Sequence, residues 1–389
     1  MLSTLGQHGS LGIRLHKTHG SQYTSHMRIV VDALVAHYGG QTNHVRGLLG
    51  AWTEIAPQDE LTVLLTEPFG STLRADPNCS RHRLVIYPRR WPSFPWRMLR
   101  SEVQLPKLQS EADALLAMTT SLPTAWHRAS VVVVHDLRHE DRPGDFSASR
   151  RLARHYFFGA AFRRADRLLA NSDRTAEVLR RRHPETSSRI SVAHLAADHV
   201  PLSFSTRDGD AIAFGHHAVK DPALLLEVWQ LLLRRSIRPL PRLHIVGLDA
   251  HQRDILTRRA ASLGILRDVV LDPYLDSKRL DRLMQAARAM VLPSRYEGFG
   301  LPVLEAMRQG IPAVISPDPA LREVAGGHAA CAATWAPEDL AAAVATALNM
   351  TSEAVASARQ HSERFTWRRT AELTRECVEC AIRHHRNSP

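Results

Sequence analysis

Long apolar runs are missing from this chain. No stretch approaches the roughly 18 consecutive apolar residues that a membrane-spanning helix needs, so the sequence reads as a soluble, globular protein. Residues 1–26 lack the apolar centre of a signal peptide. They are expected to be a disordered extension or an over-extended start, with Met27 opening the folded chain. Nothing marks export, which makes the cytoplasm the expected location. Cysteine is scarce, at four in 389 residues. Cys377 and Cys380 form a CxxC followed by His384 and His385, but no second CxxC accompanies them. A zinc site usually needs four ligands at characteristic spacings, so reduced cysteines on a helix face are expected instead. There is no repeat of 20–50 residues and no low-complexity tract, which excludes solenoids and arrays. Motifs and aromatic platforms for nucleic acid are also lacking, and no nucleic-acid partner is expected.

What is present suits two domains. The chain is too long for one ordinary core, and 44% of it is hydrophobic against 23% charged. The formal charge is +11, and most of the excess lies in the first half, where residues 1–200 hold 26 basic against 18 acidic side chains. Short apolar segments read as strands at 28–33, 60–65, 83–88, 130–136, 166–172 and 189–195. A second set follows at 211–215, 242–247, 268–272, 287–293 and 312–316. Amphipathic helical patterns separate most of them, which implies βαβ units and parallel sheets covered on both faces. The polar stretch 203–211 divides the sets. The predicted organisation is a domain over 27–203, a second over 211–365, and a closing amphipathic helix over 366–389 with Trp367 on its apolar side.

One segment carries more chemistry than the rest: SRYEGFGLPVLEAM, residues 294–307. The strand before it ends at Pro293, and Pro302 suits the first turn of a helix, with Gly310 at its stop. Glu297 is then in the loop and Glu305 in the early turns of the helix, both at the carboxyl edge of a sheet, where open α/β folds bind ligands. Loop N–H groups and a helix N-terminus favour negative charge, and a carboxylate can accept hydrogen bonds from a sugar or ribose diol.

EGFGLPVLEAM resembles the E-x7-E signature of retaining glycosyltransferases of group 1, family 4. The order of Gly39-Gly40, the His135-Asp136 pair, Lys220 and the tail PAVISPDPALREVAGGHA is similar to that family from about Met27 to Ile382. The resemblance implies an α/β GT-B fold: two doubly wound Rossmann-like domains facing a central cleft, with the last helix crossing back to the first domain. It implies a hexosyltransferase acting with retention on a nucleoside diphosphate sugar, UDP- or GDP-linked, with a lean towards mannose. The acceptor would be a glycan, a lipid-linked or a small hydroxyl compound in surface polysaccharide or glycoconjugate synthesis. No cofactor and no metal are expected.

The resemblance also implies roles for single residues. Glu305 would hold the ribose and Glu297 the transferred sugar's hydroxyls, with the backbone of Gly298, Phe299, Gly300 and Leu301 approaching sugar and phosphate. Lys220 would neutralise the pyrophosphate, where a positioned cation stabilises the charge that builds on the leaving group. His135 would contact the donor sugar or reaction centre, with Asp136 orienting it. Gly39 and Gly40 would let backbone approach a phosphate, and Tyr274 and Leu275 would cradle the base. His216 and His217 stand where the family commonly has an arginine, so their part in phosphate binding is open. Asp208-Gly209-Asp210 reads DxD, a metal motif of the other major glycosyltransferase fold, but it falls in the inferred linker and reads as a solvated turn.

Two alternatives share parts of this pattern. Nucleotide-sugar epimerases and phosphorylases have the same two-domain cleft, although the E-x7-E stretch with its downstream tail argues against them. The helical segment 148–164 has arginines flanking Tyr156, Phe157 and Phe158. This suits peripheral contact with an anionic membrane and equally suits a buried helix with basic ends.

Overall fold

The computed structural model describes residues 26–36, 39–88, 94–235 and 239–387. The expectation of an extension at the N-terminus therefore falls, His26 apart, outside the described residues.

Two parallel sheets organise the chain. The first holds β1 (Arg28–Asp32), β2 (Glu60–Thr66), β3 (Arg83–Tyr87), β4 (Ala114–Ala117), β5 (Ala129–Val134), β6 (Arg167–Ala170) and β7 (Ile190–Val192), in the order β3-β2-β1-β4-β5-β6-β7. The second holds β8 (Ala211–Phe214), β9 (Leu243–Val246), β10 (Val269–Leu271), β11 (Ala289–Leu292), β12 (Ala313–Ile315) and β13 (Ala330–Cys331), in the order β10-β9-β8-β11-β12-β13. Val30 on β1 pairs with Thr62 on one side and Leu115 on the other, which fixes the register at the centre of the first sheet. Strand β5 reads ASVVVV and is buried along its whole length, as a central parallel strand covered on both faces must be.

Each order reverses once. The reversal lies between β1 and β4 in the first sheet and between β8 and β11 in the second. Crevices at such reversals, at the carboxyl ends of the strands, are where open α/β sheets take ligands. The segments leaving β8 and β11 carry His216 to Lys220 and Glu297 respectively.

The closing helix, Trp367–Asn387, packs on the helix Gly40–Ile55 and on β4 to β6 of the first sheet, so the chain does cross back. Ala371, Cys377, Val378 and Ala381 join the first domain's core. So do Phe299, Leu301, Leu304 and Val324 of the second, making the interface between the domains partly apolar. The crossing helix also carries a buried charge. Arg375, fully enclosed, meets Asp59 through Nε at 2.8 Å and Nη2 at 3.3 Å and pairs with Glu379.

Two strands escape the sequence reading. β4 is Ala-Leu-Leu-Ala, with no β-branched residue, and β13 is two residues long. Both are strands because neighbours on the sheet complete their hydrogen bonds, a condition local propensity does not contain.

Candidate active site

The loop after β11 and the helix Leu301–Arg308 deliver the glutamates. Glu297 Oε1 lies 2.5 Å from Lys220 Nζ, with both side chains largely enclosed. Glu297 N donates to Asp318 Oδ2 at 3.2 Å, and Asp318 Oδ1 accepts from Ala320 N and Leu321 N at the start of the helix Pro319–Ala325. Burial, with the nearby Glu297 carboxylate, pushes the Asp318 carboxyl up to about 6. Glu297 thus meets the Lys220 ammonium through its side chain and Asp318 through its backbone. Two bonds stitch the segment after β8 to the β11 loop: Arg295 Nε to Asp221 Oδ2 and Arg295 N to Val219 O, both 2.8 Å.

A carboxyl that titrates higher when folded holds its proton more tightly folded than unfolded. Its contribution to stability is therefore greatest below its usual value of 3.8, declines as the pH rises towards about 6, and is level above that. Asp318→Asn flattens this stretch of the stability curve. Denaturant titrations between about pH 4 and 7 measure it, and equal slopes in both proteins would contradict the assignment.

His216 and His217 do not replace an arginine's charge. Burial, then Lys220 and His217, lower His216 to about 4. Burial, then Arg138 and Lys220, lower His217. Lys220 is one of only four lysines in the chain, and it pairs with Glu297 at this point of the crevice.

Across the cleft, His135 follows β5 and its Nε2 lies 3.0 Å from the Met118 carbonyl oxygen. That ring nitrogen is the donor, because a carbonyl only accepts, and burial lowers the His135 pKa. Asp136 does not orient His135 as expected. Its Oδ1 instead accepts from Arg138 N at 3.0 Å. Gly39 has φ 69° and opens the helix Gly40–Ile55, whose first turn has neither a side-chain cap nor an acid. Gly298 brings the two faces together. Its carbonyl accepts from Ser172 Oγ at 2.7 Å and Thr175 Oγ1 at 3.2 Å, and a Cβ on it would lie 2.1 Å from the His135 carbonyl oxygen.

Glu305 also reaches across. Its Oε1 lies 3.0 Å from His199 Nε2 and accepts from Asn43 Nδ2 at 3.3 Å. Phe299 and Leu301 bury their side chains in the interface and leave their backbone to the loop. Tyr274 is exposed with its ring centre 6.2 Å from that of His216, while half-buried Leu275 packs on the second domain's core. Most of the anticipated residues therefore converge on the facing carboxyl edges.

The two metal-like motifs do not join them. Asp210 lies at the start of β8, where Arg242 Nη2 and His244 Nε2 approach its Oδ2 at 3.0 and 2.9 Å, so this turn is ion-paired rather than solvated. Cys377 is buried on the crossing helix, and burial pushes its thiol up to about 12. Among the described residues, Asp173, His194 and Glu323 form a cluster with ligand-like spacing. Glu323 there accepts from Asp173 N and Arg174 N at 2.8 Å, capping a helix of the opposite domain.

Residues 38–200 match the family model described as Glycosyltransferase Family 4, and residues 215–364 match that described as Glycosyl transferases group 1. The chain belongs to the group 1, family 4 glycosyltransferases. A D-inositol 3-phosphate glycosyltransferase from Rhodococcus erythropolis is 28% identical over 246 residues, 57% of this chain and 55% of that protein. O-antigen chain mannosyltransferase B from Escherichia coli is 39% identical over 105 residues, 26% of each chain. The chain thus spans about half the length of the first of these relatives and about a quarter of the second. Among solved structures, HepE from Anabaena in complex with UDP and glucose superposes with a TM-score of 0.69, at 16% identity, over 91% of this chain and 100% of that one. WaaG, a glycosyltransferase involved in lipopolysaccharide biosynthesis, gives 0.65 at 15% identity over 90% and 98%. These likenesses establish the GT-B fold.

In this glycosyltransferase the sequence reading missed Asn43, His199 and Asp318. Asn43 sits one turn beyond the paired glycines, and Asp318 lies within the tail that carries the resemblance. His199 had no signal, because only the fold brings it to Glu305.

Proposed function

We propose that this chain transfers a hexosyl group from a UDP- or GDP-sugar to an acceptor hydroxyl, with retention at the anomeric carbon. The observation that carries this reading is the convergence of Lys220, Glu297 and Glu305 at the β8–β11 crevice, facing His135. Lys220 receives the diphosphate charge, Glu305 holds the ribose, Glu297 and His135 meet the sugar, and Tyr274 covers the base. Backbone N–H groups of the Gly298–Leu301 loop and the uncapped helix at Gly40 add positive potential. The reading assigns the leaving group to these protein groups and calls for no metal.

In the proposed step the bond between the anomeric carbon and the diphosphate oxygen breaks. The acceptor oxygen bonds to the same face, and its proton passes to the departing phosphate oxygen. Glu297, held against Lys220, suits hydroxyl contacts better than attack as a nucleophile. Likeness to the Escherichia coli mannosyltransferase and to the UDP-bound HepE supports the lean to mannose and the nucleotide donor. A glycan or lipid-linked acceptor would meet the first domain. Among the described residues no helix is long and apolar enough to cross a membrane. The helix Ala148–Arg164 buries Phe158 and Phe162 but exposes Leu152 and Tyr156 one turn apart, which supports peripheral contact.

The test is release of free nucleotide from a panel of UDP- and GDP-sugars with hydroxyl acceptors, with the product's anomeric configuration read by NMR. Product of the donor's own anomeric configuration supports the reading. Inverted product, or epimerised donor without transfer, contradicts it. Gly298→Ala lowers this turnover about 100-fold, because the added methyl pushes the loop off the His135 carbonyl and misplaces the reacting groups. Steady-state kinetics check it, and unchanged kcat would contradict the close approach.

A further inference from the structure

Glu305 is held by the opposite domain, and the holding group is itself held. The Trp367 indole Nε1 lies 3.2 Å from His199 Nδ1. An indole nitrogen can only donate, so Nδ1 accepts. In the neutral ring the proton then sits on Nε2, which lies 3.0 Å from Glu305 Oε1 and donates to it. Trp367 therefore fixes the tautomer of His199, and His199 fixes the carboxylate. Among the described residues, the side-chain bonds to this carboxylate fall on Oε1, which leaves Oε2 to turn towards a ligand.

Trp367 is well placed to set this geometry. It is the first residue of the crossing helix, it is buried, and its backbone N–H donates to Asp198 Oδ1 at 2.9 Å, beside His199. Its ring also stacks on His44 at 5.9 Å, and His44 meets His135 edge-on at 5.6 Å. One residue at the hinge thus braces the glutamate arm and the His135 arm.

We infer that His199 and Trp367 are positioning residues for the donor nucleotide: His199 aims the Glu305 carboxylate at the ribose diol, and Trp367 holds His199 in the tautomer that does so. This rests on the reading of Glu305 as the ribose carboxylate. It makes the contact between the domains and the grip on the nucleotide share one hydrogen-bonded chain.

The experiment is a ratio. Titration calorimetry gives Kd for UDP and 2′,3′-dideoxy-UDP, and for GDP and its dideoxy form; the more tightly bound pair is used. The ratio of dideoxy to ribose Kd reports the diol contact and cancels losses common to both ligands. Wild type is expected to prefer the ribose form about 100-fold, as two charge-assisted hydrogen bonds would give. Glu305→Ala brings the ratio near one. His199→Ala and Trp367→Phe each lower it about tenfold, the loss of one such bond. His199→Gln restores most of it, because the glutamine amide can donate from near the Nε2 position. If Glu305→Ala collapses the ratio while His199→Ala and Trp367→Phe leave it intact, the inference is wrong and the ribose reading survives. If Glu305→Ala leaves the ratio intact, or neither nucleotide binds, the ribose reading itself fails and this inference with it.

Discussion

Replacing Lys220 with alanine lowers kcat for glycosyl transfer by about 10²- to 10³-fold, the range found when a preorganised group facing developing negative charge is removed. The side chain is almost wholly enclosed, and its Nζ lies 2.5 Å from Glu297 Oε1. It stands beside two histidines whose pKa values burial and neighbouring cations lower, His216 to about 4. Charge builds on the diphosphate as the glycosidic bond breaks, so the ammonium acts more strongly on the transition state than on the bound donor. The loss is therefore expected mainly in kcat, with a smaller rise in KM. Arginine should rescue poorly, because the enclosed side chain packs a compact ammonium against Glu297 and a guanidinium is larger and planar. Steady-state kinetics of the alanine and arginine variants decide the point. A loss of less than about threefold in kcat would remove Lys220 from the role given to a preorganised cation.

Truncating Arg375 to alanine costs about 3–5 kcal/mol of stability, the range for breaking a buried ion pair by removing one partner. Arg375 and Asp59 are both fully enclosed. Asp59 accepts from Arg375 Nε, from Met27 N at 3.1 Å and from Trp52 Nε1 at 3.1 Å, so it gathers β1, the first helix and the crossing helix into one network. Without the guanidinium its carboxylate stays buried with two neutral donors. Chemical denaturation of the variant measures the cost. Converting the pair to apolar residues, Arg375→Met with Asp59→Leu, should recover much of the loss, as replacing both charges avoids leaving either one alone. A single-variant loss under about 1 kcal/mol, the scale of an exposed pair, would contradict the network. The prediction concerns function too, since Trp367, two turns earlier on the same helix, holds His199 against Glu305.

Much of this arrangement was legible in the chain. Strands such as ASVVVV and the apolar segments of the second set announce themselves, because buried parallel strands are continuous and β-branched. Glu297 and Glu305 were legible because Pro302 and Gly310 bracket a helix right after a strand. Contacts made only by folding were not legible. His199 is 106 residues from Glu305, and Asp59 is 316 residues from Arg375. Asp136 was misread for the opposite reason: adjacency to His135 suggested contact, while its carboxylate takes the Arg138 backbone N–H. The paired histidines were read as an uncertain replacement for an arginine. Only the fold, which buries them beside Lys220 and Arg138, shows that their pKa values are lowered.

The account's central claim is that this crevice binds a donor nucleotide through Glu305. The most direct measurement is a thermal-shift panel with UDP, GDP, ADP and dTDP at millimolar concentration, for wild type and Glu305→Ala. A ligand that binds only the folded chain at a hundredfold excess over its Kd stabilises by about 2.7 kcal/mol. UDP or GDP is expected to raise the melting temperature of wild type, and Glu305→Ala to lose the response. A panel without any shift, or a shift equal in both proteins, would contradict it.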